Sequence, residues 1–322
     1  SIPVQIKNLH FINAAVYSHM NTYRGLLAGS ADYTHFENIS VEGLMVASIN
    51  TGCNPAAAFE PSTGGLVGYT FMSEFSNIAL DDVNLMIQGD EYYAGGVVGQ
   101  ERARSGITNL GSQFKQISVT NLYINAKACD HALNDVYTCG AGGLIGYVSA
   151  AGQVGIEESF VTGEIYARYN AGGLIGHFPG VSWSEDSITP STINNSYTDV
   201  LLESDQYAGG LIGNAPENDY MKINMNYVYA AGSVNVDGRD AGRGMVGNKN
   251  RASNRVLTTE GYFDKDSTGK EYSGDRGSQR LSSLKMKDTM TYAAWDPSIW
   301  CILPNKYPSL QSQNAGYCVI DR

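Results

Sequence analysis

The sequence predicts an all-β chain wound as a right-handed parallel β-helix (β-solenoid), with a small C-terminal cap. Three observations carry that expectation. A glycine-rich hexapeptide recurs along the chain, a period-two strand pattern lies between its copies, and residues 1–270 show no sustained 3.6-residue period.

The hexapeptide is Ala-Gly-Gly-Leu-Ile-Gly, found at Ala141–Gly146, Ala171–Gly176 and Ala208–Gly213. Thr63–Gly68 and Ala94–Gly99 are close variants, and Arg24–Gly29 and Arg243–Gly247 are weaker ones. The closing glycines stand at 29, 68, 99, 146, 176, 213 and 247, a mean repeat of about 36 residues. Structural roles are therefore expected for Gly64, Gly65, Gly68, Gly95, Gly96, Gly99, Gly142, Gly143, Gly146, Gly172, Gly173, Gly176, Gly209, Gly210 and Gly213. At such corners φ is positive, or a Cβ would not fit between adjacent rungs. Leu144, Leu174 and Leu211 are expected to stack as a ladder of core side chains. A phosphate loop is excluded, because no Gly-Lys-Ser/Thr follows any copy and no helix follows to present its N-terminus.

Between the copies lie Ile6–Phe11, Phe36–Val41, Phe75–Leu80, Phe114–Val119, Ile156–Val161, Ile193–Tyr197 and Met225–Tyr229. Apolar residues alternate with polar ones in these runs, and β-branched and aromatic types dominate, so they read as half-buried strands. A second short strand usually follows, as at Gly43–Val46, Val83–Ile87, Leu122–Ile124, Glu164–Ala167 and Gly232–Val236. Uneven spacing locates the insertions. Thr51–Ser62 with Cys53, Glu101–Gln113, the Cys129–Cys139 loop and Phe178–Thr192 are expected on the side of the stack, where recognition surfaces are usually built.

Residues 1–269 are expected to form the repeats and 270–322 the cap. Ser282 or Ser283 is placed to N-cap a short helix through about Met290. Trp295, Trp300, Tyr307 and Leu310 then supply apolar area to cover the last rung. Ile6–Phe11 is already strand-like, so the N-terminal rung is expected to meet a second copy or a longer parent chain. The opening Ser-Ile-Pro-Val, without initiator Met or leader, suggests a processed chain or a piece of a longer one.

With 21 Lys and Arg against 32 Asp and Glu, the net charge is −11. That argues against nucleic acid and anionic membrane as partners, since both select basic faces. No apolar run is long enough to span a bilayer, so no transmembrane segment is expected. Of the five cysteines, Cys129 with Cys139 and Cys301 with Cys318 have spacings that suit disulfides, buried thiols being the alternative. Cys53 is left over, either free or bonded to another chain. This cysteine usage and the Lys-poor surface favour an extracytoplasmic location.

Catalytic chemistry finds little purchase. His10, His19, His35, His131 and His177 are never followed by Glu, so HExxH is missing, and so is G-x-S-x-G. No catalytic residue and no cofactor are assigned. The mixed-charge runs Asp237–Arg243 and Glu101–Arg104 fall at turns, where solvated charge is the default. Asp81, Asp82, Asp264 and Asp266 are candidate Ca²⁺ ligands, with turn capping the better account. Tyr92, Tyr93, Tyr166, Tyr169, Tyr197, Tyr207, Tyr227 and Tyr229 recur near rung edges and are candidates for stacking on a glycan, packing within the sheet being the ordinary alternative.

The Ala-Gly-Gly-Leu-Ile-Gly copies, followed by Asn-Ser-Tyr-type strands, resemble the GLUG-motif repeats of bacterial surface proteins. Those repeats occur in adhesin-like and filamentous-haemagglutinin-like proteins and in the non-catalytic part of IgA peptidases. Gly261–Gly269 and the Trp295, Trp300 and Tyr307–Leu310 residues are similar to the segment that closes many such arrays. The resemblance implies an extracellular, non-catalytic surface protein, an adhesin or a fibre or stalk component, with a glycan or host surface as ligand. A polysaccharide-active β-helix enzyme, or an accessory domain of a larger secreted enzyme, is the alternative.

Overall fold

The computed structural model describes residues 3–18, 22–49, 61–88, 93–102, 111–128, 132–133, 136–137, 139–149, 153–179, 189–216, 222–237, 242–247, 252–313 and 318. Over these the protein is mostly β. Its three large sheets pair only in parallel, an arrangement consistent with a parallel β-helix or similar solenoid.

The long sheet takes one strand or broken strand per rung, in chain order. These are Val4–Ser18, Thr34–Ile49, Glu74–Gln88, Ser112–Ala126, Val154–Glu157 with Phe160–Ala167, Ser191–Ser204, Ile223–Ala231 with Val234–Val236, and Ala252–Asp264. Gly274–Arg276 and Gln279–Leu281 add a last short rung, so the sheet runs on past residue 269. A second sheet stacks Ser62–Gly64, Tyr93–Gly95, Gly140–Gly142, Asn170–Gly172, Tyr207–Gly209 and Gly242–Arg243. The third stacks Ala28–Asp32, Val67–Phe71, Val98–Glu101, Ile145–Val148, Ile175–His177 and Ile212–Asn214. Each hexapeptide is the corner joining these two short sheets.

Where the sequence suggests two short strands per rung, the long sheet usually has one strand, of up to 16 residues, kinked at left-handed positions. Asn8, Asn38, Asn77, Gln116, Glu158, Asn195, Tyr227 and Glu260 occupy the first kink, with φ between 48° and 58°. Asn13, Gly43, Asp82, Asn121, Gly163 and Gly232 occupy the second, also at positive φ. Asn, Asp and Gly tolerate this region best, and side-chain amides add a ladder across rungs. Asn38 donates to Asn8 Oδ1 at 3.0 Å, and Asn77 donates to Asn38 Oδ1 at 2.6 Å.

The motif glycines do not sit at positive φ; they are needed for close approach. A Cβ on Gly142 would lie 2.1 Å from the carbonyl oxygen of Ile145 in its own corner, and one on Gly143 would lie 2.1 Å from the Gly173 carbonyl of the next rung. Arg243 occupies the column of Gly209 in the terminal copy. There its buried side chain runs against Gly274 and lies 5.9 Å from the Tyr272 ring, instead of meeting another repeat.

Leu144, Leu174 and Leu211 are fully buried, and their backbones form a ladder: Leu144 N donates to Leu174 O at 2.9 Å, and Leu174 N to Leu211 O at 2.8 Å. On the inner face of the long sheet, Phe75 stacks between Phe36 at 4.7 Å and Phe114 at 4.8 Å. Cys301 and Cys318 form a disulfide. Cys139 is also disulfide-bonded. Cys129, its expected partner, lies outside the described residues, as does Cys53.

Ser282 caps the single-turn helix Ser283–Met286 by accepting from Lys285 N, and a 3₁₀ turn follows at Thr289–Tyr292. The rest of the tail does not lie across the end of the stack. It folds back along the outside of the long sheet, because aromatic side chains project there from several successive rungs.

Candidate functional site

One column on the outer face of the long sheet decides what that face can do. In register it reads His10, Ser40, Ala79, Ser118, Phe160, Tyr197, Tyr229 and Tyr262. Rungs two to four therefore carry small residues, and rungs five to eight carry rings.

The aromatic half is covered. Phe160 stacks on Tyr197 at 5.1 Å and Tyr197 on Tyr229 at 4.7 Å, with Trp295, Trp300, Tyr292 and Tyr307 packed over them. The hydroxyls are paired too: Tyr197 donates to Gln313 Oε1 at 2.9 Å and Tyr229 to the Pro308 carbonyl at 2.7 Å. Burial pushes the Tyr197 hydroxyl up to about 12, and Tyr229 also lies well above its ordinary value for the same first reason. These two rings, expected as candidates for sugar stacking, serve as the seat of the tail. Tyr227 meets Trp295 edge-on at 6.5 Å, and Tyr93 is buried against Tyr147 at 4.1 Å. Tyr169 is buried and Tyr207 half-buried, whereas Tyr92 lies outside the described residues. Tyr166 donates to Glu164 Oε2 at 2.8 Å, and that bond is the main reason its hydroxyl is raised to about 12.

The small half is open. Beside the end of the tail lies a groove of about 380 Å³ over Ala79 and Ser118, walled by Asn77, Gln116 and Glu158 on one side and Thr120 on the other. Phe160, Ser312 and Gln313 close it at the tail. Gln116 donates to Glu158 Oε2 at 2.9 Å, and Thr120 donates to Asp81 Oδ1 at 2.5 Å, so both walls are held in place. The lining is amide, hydroxyl and one carboxylate. It offers hydrogen bonds to an uncharged polar ligand.

Of the Ca²⁺ candidates, Asp81, Asp264 and Asp266 are held by other partners. Asp81 Oδ1 also accepts from Asn121 Nδ2 at 2.9 Å, and Asp82 stands at the second kink with φ 55°. Asp264 is fully buried and N-caps the helix Lys265–Thr268; its carboxylate also accepts from Ser283 Oγ at 2.6 Å and from the Tyr307 hydroxyl. Asp266 accepts from Ser283 N at 2.9 Å, which is the main reason its carboxyl is lowered. Among the described residues no three His, Cys, Asp or Glu come together as a metal site.

Two acid–base residues, Glu101 and His177, are buried away from the groove. Glu101, expected as a solvated turn charge, ends a strand and is fully buried, because its side chain enters the corner beside Ser112. Burial pushes its carboxyl up to about 8, although Ser112 N and Oγ both donate to Oε1 at 3.4 Å. His177 is buried beside Tyr147, and burial lowers its imidazole to about 4. Of the other mixed-charge run, Arg243 is buried and residues 238–241 lie outside the described set. The same holds for most of the expected recognition loops: residues 50–60, 103–110, 129–131 and 180–188 are outside it.

No family model matches the chain, and neither does any curated protein. A solved structure does: the crystal structure of "a putative immunoglobulin A1 protease" from Bacteroides ovatus aligns over 95% of this chain and 86% of its own, at 16% identity and a TM-score of 0.53. At that identity the likeness establishes the fold, and the chain is structurally similar to that protein over almost its whole length.

Proposed function

We propose that this protein is a non-catalytic, extracellular protein of the bacterial surface, an adhesin or stalk component. In this reading it is built as a right-handed β-helix of GLUG-type rungs and presents the flank of its long sheet to a glycan or host-surface ligand. The observation that carries the reading is the divided outer column. The chain's own tail covers Phe160 to Tyr262, and the groove over Ala79 and Ser118 stays open with hydrogen-bonding walls. Neutral amides and hydroxyls beside an aromatic ring suit a polyhydroxyl chain. The disulfides support an oxidising compartment.

The test is retention of the purified chain on an immobilised glycan panel that includes uronic-acid polymers, read together with turnover. Retention without turnover is expected. Ser118→Tyr, which extends the ring column into the groove, should abolish retention and leave the fold intact. Unsaturated products at the ultraviolet absorbance of β-elimination, or cleavage of immunoglobulin A1, would replace this reading with an enzymatic one.

A further inference from the structure

The first kink column of the long sheet carries an amide ladder whose direction reverses at the groove. Asn38 Nδ2 donates to Asn8 Oδ1 at 3.0 Å and Asn77 Nδ2 to Asn38 Oδ1 at 2.6 Å, both toward the first rung. Gln116 Nε2 turns the other way and donates to Glu158 Oε2 at 2.9 Å. The ladder is therefore broken between Asn77 and Gln116. Each of these planar amides directs its nitrogen away from the break, which leaves its oxygen on the side of the break. Among the described residues nothing donates to Asn77 Oδ1 or to Gln116 Oε1. One strand spacing, about 4.8 Å, separates the two positions, and both line the open groove.

The charge beside the break is of one sign. Glu158 stands in the same wall, and Thr120 of the opposite wall donates to Asp81 Oδ1. Lys115, on the rung of Gln116, is taken up by Glu157 at 3.4 Å and by Glu158 at 3.9 Å. An anionic group placed at the break would face carbonyl oxygens and carboxylates. A hydroxyl carries one hydrogen, so two neighbouring acceptors call for two donors on neighbouring atoms of a ligand. Adjacent hydroxyls of a sugar ring supply such a pair.

We propose that the groove takes an uncharged glycan through two adjacent hydroxyls, which donate to Asn77 Oδ1 and Gln116 Oε1, and that it turns acidic glycans away. The oxygens of those hydroxyls stay free to accept from the tail side, where Ser312 and Gln313 close the groove. Gln313 Oε1 already accepts from the Tyr197 hydroxyl at 2.9 Å and from Leu310 N at 2.8 Å, so its nitrogen is the end left for a ligand. The proposal rests on the glycan reading above and narrows it to a neutral ligand and to the two amides that read it.

The experiment measures retention of the 322-residue chain on immobilised linear glucan, galactan and mannan. Each is paired with a form oxidised at the primary hydroxyl to the carboxylate. Each is also paired with a form cleaved by periodate between adjacent hydroxyls and then reduced. At least one parent polymer should be held about tenfold more tightly than either of its derivatives. Gln116→Asn leaves the net charge unchanged and suits the left-handed backbone. Its shorter amide is placed to donate to Asn77 Oδ1 and close the break. Retention should fall about tenfold with an unchanged β-sheet circular dichroism spectrum. Asn77→Gly removes the other oxygen and keeps the backbone conformation; it should give the same loss, and it serves if the first variant does not fold. Equal retention of an oxidised or periodate-cleaved polymer would overturn the proposal, as would undiminished retention by a folded variant. Either result leaves a glycan bound and the wider reading standing, whereas retention of no polymer by the parent chain would remove both.

Discussion

Trp300 donates its indole N–H to the side-chain oxygen of Asn195 at 3.1 Å, and Asn195 is also a left-handed kink residue with φ 48°. One side chain therefore bends a rung of the long sheet and anchors the tail that folds over it. The two roles separate by substitution. Asn195→Gly keeps the backbone conformation and loses the hydrogen bond, costing about 1 kcal/mol. Asn195→Ala also places a Cβ in the left-handed region and should cost about 1–2 kcal/mol more. Denaturant unfolding measures both, and equal losses in the two variants would deny the kink its part.

Close approach of the rungs makes an equally sharp prediction at Gly173. A Cβ there would sit 2.0 Å from the Gly210 carbonyl oxygen and 2.7 Å from Thr198 Cγ2. Two rungs must separate to admit it, so Gly173→Ala should destabilise by about 3 kcal/mol. Gly269→Ala is the contrast: no neighbour lies within 4 Å, and its φ of 66° leaves only backbone strain, about 1–2 kcal/mol. A thermal melt in which Gly269→Ala is the worse of the two would contradict the crowding argument.

The repeat was legible because both its signals are local. The spacing of Ala-Gly-Gly-Leu-Ile-Gly marks each corner, and alternation such as Phe36-Glu37-Asn38-Ile39-Ser40-Val41 marks each strand. Two facts were hidden because they depend on neighbours 30 or more residues away. Asn77 inside a strand pattern does not announce a left-handed kink until Asn38 lies beside it. Tyr197 and Tyr229 read as ordinary sheet packing with a glycan platform as the candidate alternative, because nothing local tells that Trp300 and Tyr307 return to cover them. Glu101 differs from its expected place for a related reason: a charged run next to an insertion looks solvated, while its position in the third sheet turns it inward.

The tail depends on its closure as well as on its rings. Cys301 and Cys318, 17 residues apart, close the segment that carries Tyr307 and Gln313. A loop of that size contributes about 3 kcal/mol through the unfolded chain. The double substitution Cys301→Ser and Cys318→Ser should loosen the tail before the rungs, giving an early red shift of tryptophan emission ahead of the main β-sheet transition. A single coincident transition, unshifted from the parent, would show that the disulfide does not hold the tail.

Glu101 and His177 set opposing pH slopes. The carboxyl of Glu101 is raised in the folded protein to about 8 from 4.5, so its contribution is intact below 4.5 and falls by about 1.4 kcal/mol per pH unit up to about 8. The imidazole of His177 is lowered to about 4 from 6.5, so its contribution is intact above 6.5 and falls at the same rate down to about 4. Between 4.5 and 6.5 the two slopes cancel, because the unfolded chain gains a proton on His177 where it loses one from Glu101. Stability should therefore be flat across that window and decline from 6.5 to 8. In Glu101→Gln, where the amide oxygen still accepts from Ser112, the window should instead slope upward and the alkaline decline should vanish. Urea unfolding at half-unit steps from pH 4.5 to 8.5 reads both arms, and an unchanged alkaline decline in Glu101→Gln would exclude Glu101 as its source.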